Sequence, residues 1–229
     1  MIVFERVTKR YSNGHEALSN VSFHVDSGEM VFLTGRSGAG KSTVLKLMAL
    51  LERPTRGTVL VCGQNLGALS TRRIPTYRRT LGVVFQNHSL LADRSVFDNV
   101  ALPMIVAGLS YQDTGKRVRA ALDQVGLLNK EHRLPTELSV GEQQRVGIAR
   151  AVVGHPAVLI ADEPTGNLDP DLALEIMRLF KRFQDAGVTV VVATHDLHVV
   201  HDFNQRNIVL ADGKIAGEET SLPSMVAQR

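Results

Sequence analysis

The chain is poor in the features that would mark it as secreted or membrane-embedded. Its 229 residues hold one cysteine, Cys62, so no internal disulfide is possible. A reducing compartment is the expectation, with Cys62 read as a small core or strand residue. No apolar run approaches the ~20 residues of a membrane-spanning helix. The opening MIVFERVTKRY places charges where a signal peptide would carry its apolar segment. A cytosolic location follows as the expectation, and any role at a membrane then requires a partner. No internal repeat and no low-complexity linker breaks the chain. The charge imbalance is a modest +3. Arg72, Arg73, Arg78 and Arg79 form the one dense basic cluster, read either as a solvated helix face or as a contact for anionic lipid or nucleic acid. At this length the chain can bury a sizeable interior unaided.

What is present begins with GRSGAGKS at residues 35–42, which fits the phosphate-loop pattern G-x-x-x-x-G-K-[ST] and follows the apolar run 30–34 directly. A strand that ends in such a loop and enters a helix, here expected over residues 41 to about 50, turns successive backbone N–H groups toward one point. The helix dipole favours an anion there. Gly35, Gly38 and Gly40 let the backbone curl, Lys41 can reach β- and γ-phosphates, and the Ser42 hydroxyl suits magnesium. Arg36, Ser37, Ala39 and Thr43 complete the candidate nucleotide contacts.

Elsewhere the pattern is α/β. Alternation at residues 21–25 with a turn at 26–28 reads as strand, as do 58–61 and 82–85. From about 87 to 156 the periodicity is helical, with Val118, Leu122 and Val125 on one face and a second helix from Glu142 to about Val153. A strand at 158–161, a helix carrying Leu172, Ile176, Leu179 and Phe183, and a strand at 188–193 follow; this alternation predicts a largely parallel sheet. Asp212-Gly213 marks a final turn, and 218–229 reads as a loosely ordered polar tail.

AVLIADEP, residues 157–164, has the form of a Walker B strand. Asp162 at its exposed end is placed to hold magnesium through water, and Glu163 is the candidate base that orients an attacking water. Between the two nucleotide motifs lies LSVGEQQRVGIARA, residues 138–151. With it the chain resembles the nucleotide-binding subunits of the ABC family over essentially its whole length.

The resemblance implies an ABC nucleotide-binding fold spanning 1–229 as one domain. It would have a phosphate-loop (RecA-like) core and an antiparallel β lobe at about 1–86 and 157–229, and a helical signature lobe at about 87–156. It implies ATP and Mg2+ as cofactors, Tyr11 as the platform for adenine, and Gln86 as the hinge residue that links magnesium to the helical lobe. Ser139 and Gly141 become the signature contacts, Asp169 the interface-loop aspartate, and His195 the switch residue at the γ-phosphate. It further implies a head-to-tail homodimer that sandwiches two ATP molecules. The signature departs from LSGGQ at Val140 and Glu142. A valine there is expected to resist any positive φ and to crowd the partner's γ-phosphate, lowering turnover.

ADEPTGNLDP is similar to ATPases of the lipoprotein-release and macrolide-export group. Asp93-Arg94 within FQNHSLLADRSVFDNVALPMIVAG, together with the opening MIVFERVTKRY, resembles the cell-division branch instead. That branch implies a peripheral position on the cytoplasmic face of the inner membrane, a polytopic FtsX-like partner, and an indirect link to peptidoglycan hydrolases. The partner is expected to dock near Gln86 and residues 93–100, with Arg94, Val96 and Phe97 as candidate contacts. A transporter subunit is the alternative. An ABC ATPase acting on DNA or the ribosome is the remote one, because the chain has one phosphate loop, one cysteine and no long heptad run; no nucleic acid is expected.

Overall fold

The computed structural model describes residues 2–85, 89–166 and 168–219. Two antiparallel strands come first, β1 (Ile2–Arg10) and β2 (Glu16–Val25). A fully buried strand, β3 (Met30–Thr34), then runs through the glycine loop into helix α1 (Lys41–Met48), and β4 (Arg56–Val61) and β5 (Gln64–Asn65) follow. Next come α2 (Ile74–Arg78), β6 (Leu81–Val84), α3 (Val96–Ala107), α4 (Tyr111–Gln124) and α5 (Val140–Val152). The chain returns through β7 (Val158–Asp162), α6 (Pro170–Asp185), β8 (Thr189–Ala193) and α7 (Leu197–Phe203), and ends in the hairpin β9 (Arg206–Ala211) and β10 (Lys214–Glu219).

The strands form two sheets. One is antiparallel in the order β2-β1-β4-β5; the other runs β10-β9-β3-β8-β7-β6, parallel except at β10. The central parallel strands are apolar except at their ends, at Thr34, Asp162 and Thr189, because both of their faces are covered. Their period of two still sorts the side chains. Val31, Leu33, Val158, Ile160, Val191 and Ala193 face a core shared with α1 and the antiparallel sheet. Phe32, Leu159, Val190 and Val192 face a second core under α3 to α6. Each such large side chain contributes roughly 1.5–3 kcal/mol by leaving water. The first core locks α1 between the sheets, which fixes the helix that carries Lys41 and Ser42. The second fixes α5 against the sheet edge.

Local chemistry sets the ends of the lobe helices. Ser95 and Ser110 accept from the backbone N–H of Asp98 (3.0 Å) and Asp113 (3.1 Å), which starts α3 and α4, and Gly108 at φ 80° ends α3. Asp212 and Gly213, at φ 48° and 72°, close the last hairpin with the turn that strand twist favours.

Two expectations are corrected, those for Cys62 and for the C-terminal tail. Cys62 is neither core nor strand: it is exposed at φ 48° in the Cys62-Gly63 turn between β4 and β5. All four residues of the arginine cluster are exposed, and two of them also meet helix ends. Arg78 donates to the carbonyls of Ala49 (3.2 Å) and Leu50 (2.9 Å) at the end of α1, and Arg79 donates to Val106 O (3.0 Å) at the end of α3. Carbonyls left open at helix ends attract such donors. Glu218 and Glu219 belong to β10 rather than to a loose tail; the remainder of that tail lies outside the described residues.

Candidate nucleotide site

The loop between β3 and α1 has no latitude for side chains where it curls tightest. A Cβ on Gly35 would sit 2.2 Å from Leu210 O, and one on Gly40 would sit 2.7 Å from Leu18 Cδ2; both residues have positive φ. Gly40 is also the residue at which α1 begins, and no side chain caps the helix there. The first-turn N–H groups and the positive end of the helix dipole are therefore presented to the cavity that the loop encloses. That cavity, of about 1670 Å³, is lined by residues 35–43 together with Tyr11, Glu163 and His195.

Lys41 is nearly buried, with Nζ 2.8 Å from Gly35 O, 3.4 Å from Arg36 O and 3.6 Å from Glu163 Oε1. Tyr11 is set by its hydroxyl 3.3 Å from Thr43 Oγ1, and the Lys9 ammonium lies 5.0 Å from its ring centroid. Ser42 Oγ donates to Asp162 Oδ1 at 3.2 Å. Burial pushes the Asp162 carboxyl above its ordinary range, against the hydrogen bond from Ser42. A half-buried carboxylate beside a hydroxyl is a donor set of hard oxygens that suits Mg2+.

Glu163 follows on the same strand end, in an uncommon backbone state. Its φ is 49°, in the left-handed region, and Pro164 comes next. A non-glycine residue held there stores about 1–3 kcal/mol, and the residue before a proline favours extended geometry. The side chain is held as firmly. Its Oε2 lies 2.8 Å from His195 Nδ1 and 3.3 Å from the His195 backbone N, which donates to it.

The structure brings Tyr11, residues 35–43, Glu163 and His195 together around one cavity, and Asp162 joins them through its hydrogen bond with Ser42; Ser139, Gly141 and Asp169 stand outside the lining. Ser139 instead opens α5. It accepts from Glu142 N (3.3 Å) while Glu142 Oε2 accepts from Ser139 N (3.1 Å), and the other Glu142 oxygen pairs with Lys130. Val140 is the first residue of that helix and half exposed, with no positive φ. The expected backbone penalty for valine is therefore absent, because the signature begins as ordinary helix. The helix also starts two residues earlier than the apolar pattern indicates. Gly141 is needed for packing: a Cβ would lie 2.3 Å from Leu172 Cδ2 on α6. Asp169 caps α6 by accepting from Leu172 N at 3.0 Å. Gln86 lies outside the described residues.

The family model described as ABC transporter matches residues 18–166. This chain belongs to the ABC family. Within it the chain falls in the FtsE group: it is 54% identical over 217 residues to the cell division ATP-binding protein FtsE of Escherichia coli, covering 95% of this chain and 98% of that protein. It is 44% identical over 220 residues to FtsE of Bacillus subtilis, with 96% of each covered. A bacterial ABC transporter cassette solved as a dimer superimposes with a TM-score of 0.88 at 37% identity, over 97% of this chain and 100% of that one. The same cassette in a post-hydrolysis state bound to ADP and Pi gives 0.88 at 36% identity, with 97% and 100% covered. The chain is an ABC ATPase with the cassette fold.

Two residues of this ABC ATPase escaped the sequence reading. Gln144 is 1% exposed, and its Nε2 donates to Pro164 O at 2.8 Å. The signal for it was a polar residue on the apolar stripe shared by Gly141, Gly147 and Ile148. Lys130, paired with Glu142 from a different segment, had no sequence signal, because only the fold makes them neighbours.

Proposed function

We propose that this chain is the ATP-hydrolysing subunit of a cell-division complex, in which ATP binding and release of phosphate drive conformational signalling through a polytopic membrane partner of the FtsX type to peptidoglycan hydrolases. The observation that carries the catalytic part is the single cluster of Lys41, Asp162, Glu163 and His195 around the loop at residues 35–42. Lys41 and the N–H groups of α1 hold the phosphates, Ser42 and Asp162 hold Mg2+, and Tyr11 carries the adenine. Glu163 takes the hydrogen bond of the attacking water and aligns it with the γ-phosphate, and His195 contacts the terminal phosphate oxygens. Mg2+, if held there by Ser42 and Asp162, would supply neutralisation of the phosphate charge.

Ser139 and Asp169 stand outside the chain's own cavity, which is intelligible if they serve the nucleotide of a second copy in a head-to-tail dimer. Loss of the γ-phosphate then removes the group that holds the two copies together. The partner's coupling segment docks on the exposed apolar side chains Phe85, Leu91, Ile105 and Val106, which flank the joint between core and helical lobe. Arg94, 62% exposed, borders that surface. Val96 does not belong to the docking set: it is fully buried. Phe97 is half-buried under the Arg119 guanidinium, 5.5 Å from its ring centroid.

The experiment is a depletion strain complemented with Glu163→Gln. Cells should fail to separate and show reduced wall-hydrolase activation, with outer-membrane lipoproteins sorted normally. Normal division with lipoproteins retained in the inner membrane would instead assign the chain to a lipoprotein-release transporter.

A further inference from the structure

The turn that carries Glu163 is strained by its left-handed φ and by the proline after it, so something must hold it in register with the nucleotide. Several of its ties lie within the core: Glu163 N donates to Ala193 O (2.9 Å), Gly166 N donates to Glu163 O (3.2 Å), His195 holds one carboxylate oxygen, and Lys41 lies 3.6 Å from the other. A further tie comes from the helical lobe. Gln144, on the buried face of α5, donates from Nε2 to the carbonyl of Pro164, itself buried. A buried amide whose hydrogen bond crosses between two packed units is lost only at the full desolvation penalty of both groups, so the contact fixes one unit relative to the other. The same helix is keyed to α6 by the close approach of Gly141 to Leu172 and by Arg145 Nη2 on Glu175 Oε2 at 2.9 Å. Its N-terminus, five residues before Gln144, is Ser139.

We propose that Gln144 is a positioning residue for hydrolysis: it ties the Glu163 turn to the signature helix of the same chain, so that a shift of α5 when Ser139 engages nucleotide is delivered to the general base. This rests on the reading of Glu163 as that base. Gln144 does not line the cavity; it acts through Pro164.

The test uses the full chain at saturating ATP. Gln144→Met preserves side-chain length and removes the donor. The turnover number should fall by about 10²-fold, the scale of a sub-ångström to 1 Å misplacement of a catalytic group. ATP affinity by calorimetry should stay within about twofold, because uniform binding is untouched. Gln144→Glu separates positioning from packing. Its carboxyl donates to Pro164 O only when protonated, and burial favours that form. The ratio of its turnover to that of the parent should therefore climb as pH falls. A Gln144→Met chain that turns over at the parent rate overturns the proposal, as does a Gln144→Glu ratio that is flat with pH, which decides the matter even where the methionine variant fails to fold. If Glu163→Gln itself hydrolyses ATP at the parent rate, the base assignment is what fails, and this proposal goes with it. An inactive Glu163→Gln beside a fully active Gln144→Met rejects the positioning role alone.

Discussion

Glu163 Oε2 lies 2.8 Å from His195 Nδ1, so the candidate base and the candidate γ-phosphate sensor are hydrogen-bonded to each other across the ends of β7 and β8. The strands that carry them are neighbours in the parallel sheet, with Asp162 paired to Ala193. Two residues remote in sequence thus arrive at one point by register alone.

Glu163→Gln keeps the shape and the hydrogen bond from the His195 N–H while removing the negative charge. ATP binding should survive, because Lys41, Ser42 and Asp162 are unchanged, and hydrolysis should fall roughly 10²- to 10⁴-fold. An ATP-stabilised dimer should accumulate, visible by size-exclusion chromatography with light scattering. Parent-rate hydrolysis at saturating nucleotide would remove Glu163 from the mechanism.

Lys41→Ala acts one step earlier. Its ammonium sits among Gly35 O, Arg36 O and Glu163 Oε1, so its loss strips the site of its central cation and leaves the Glu163 carboxylate without its counter-charge. Calorimetric titration should show ATP affinity reduced by at least about tenfold, equivalent to ~1.4 kcal/mol. Unchanged affinity would count against the phosphate-loop assignment.

Glu142 makes the signature helix sensitive to acid. Its hydrogen bond with Lys130, and after it the Ser139 N–H, hold the carboxyl below its ordinary 4.5. The folded state therefore takes up this proton less readily than the unfolded one. The stabilisation is fully present above the ordinary value and is lost as pH falls through the lowered one. Thermal midpoints measured across that acid range should fall less steeply for Glu142→Gln than for the parent; equal slopes would show that the capping carboxylate carries no pH dependence.

The same pair has a predicted role in nucleotide sandwiching. A Glu142 anion near the start of α5 would repel a triphosphate presented to Ser139 unless Lys130 compensates it. Lys130→Met should weaken ATP-driven dimerisation on the order of tenfold, ~1.4 kcal/mol. Adding Glu142→Gln should restore it, because the neutral side chain needs no counter-ion. Failure of the second change to rescue the first would show that Lys130 acts by packing rather than by charge.

Arg94 and Val96 should behave as opposites although they are two residues apart. Arg94→Glu alters only an exposed side chain, so fractionation should find the chain released from membranes with ATP affinity intact. Val96→Asp buries an unpaired charge under α3 and should lower unfolding free energy by roughly 3–5 kcal/mol. A Val96 variant with parent stability would contradict its place in the core.

The glycine loop, the strand ending in Asp162-Glu163 and the apolar runs of the parallel sheet could be read from the sequence because each is a local pattern. Glycine permits what other residues cannot, period two or 3.6 sorts side chains onto faces, and a carboxylate at a strand end meets solvent at the sheet's carboxyl edge. The places where that reading failed are equally specific. Cys62 looked apolar enough for a strand, but the β4–β5 turn took it. Val140 looked like an obstacle to a glycine conformation, but the Ser139 cap makes it an ordinary first helical residue. Val96 was expected as a docking contact because the resemblance places the partner near residues 93–100, yet α3 turns it into the core.

Sequence by itself determined where the glycine loop lies and which elements flank it, since these depend on side chains a few positions apart. Tertiary structure alone decided that His195 reaches Glu163, that Lys130 neutralises Glu142 and that Gln144 holds Pro164. Those contacts join segments 12 to 32 residues apart, and such pairs meet only after sheet register and helix packing have fixed the distances between them.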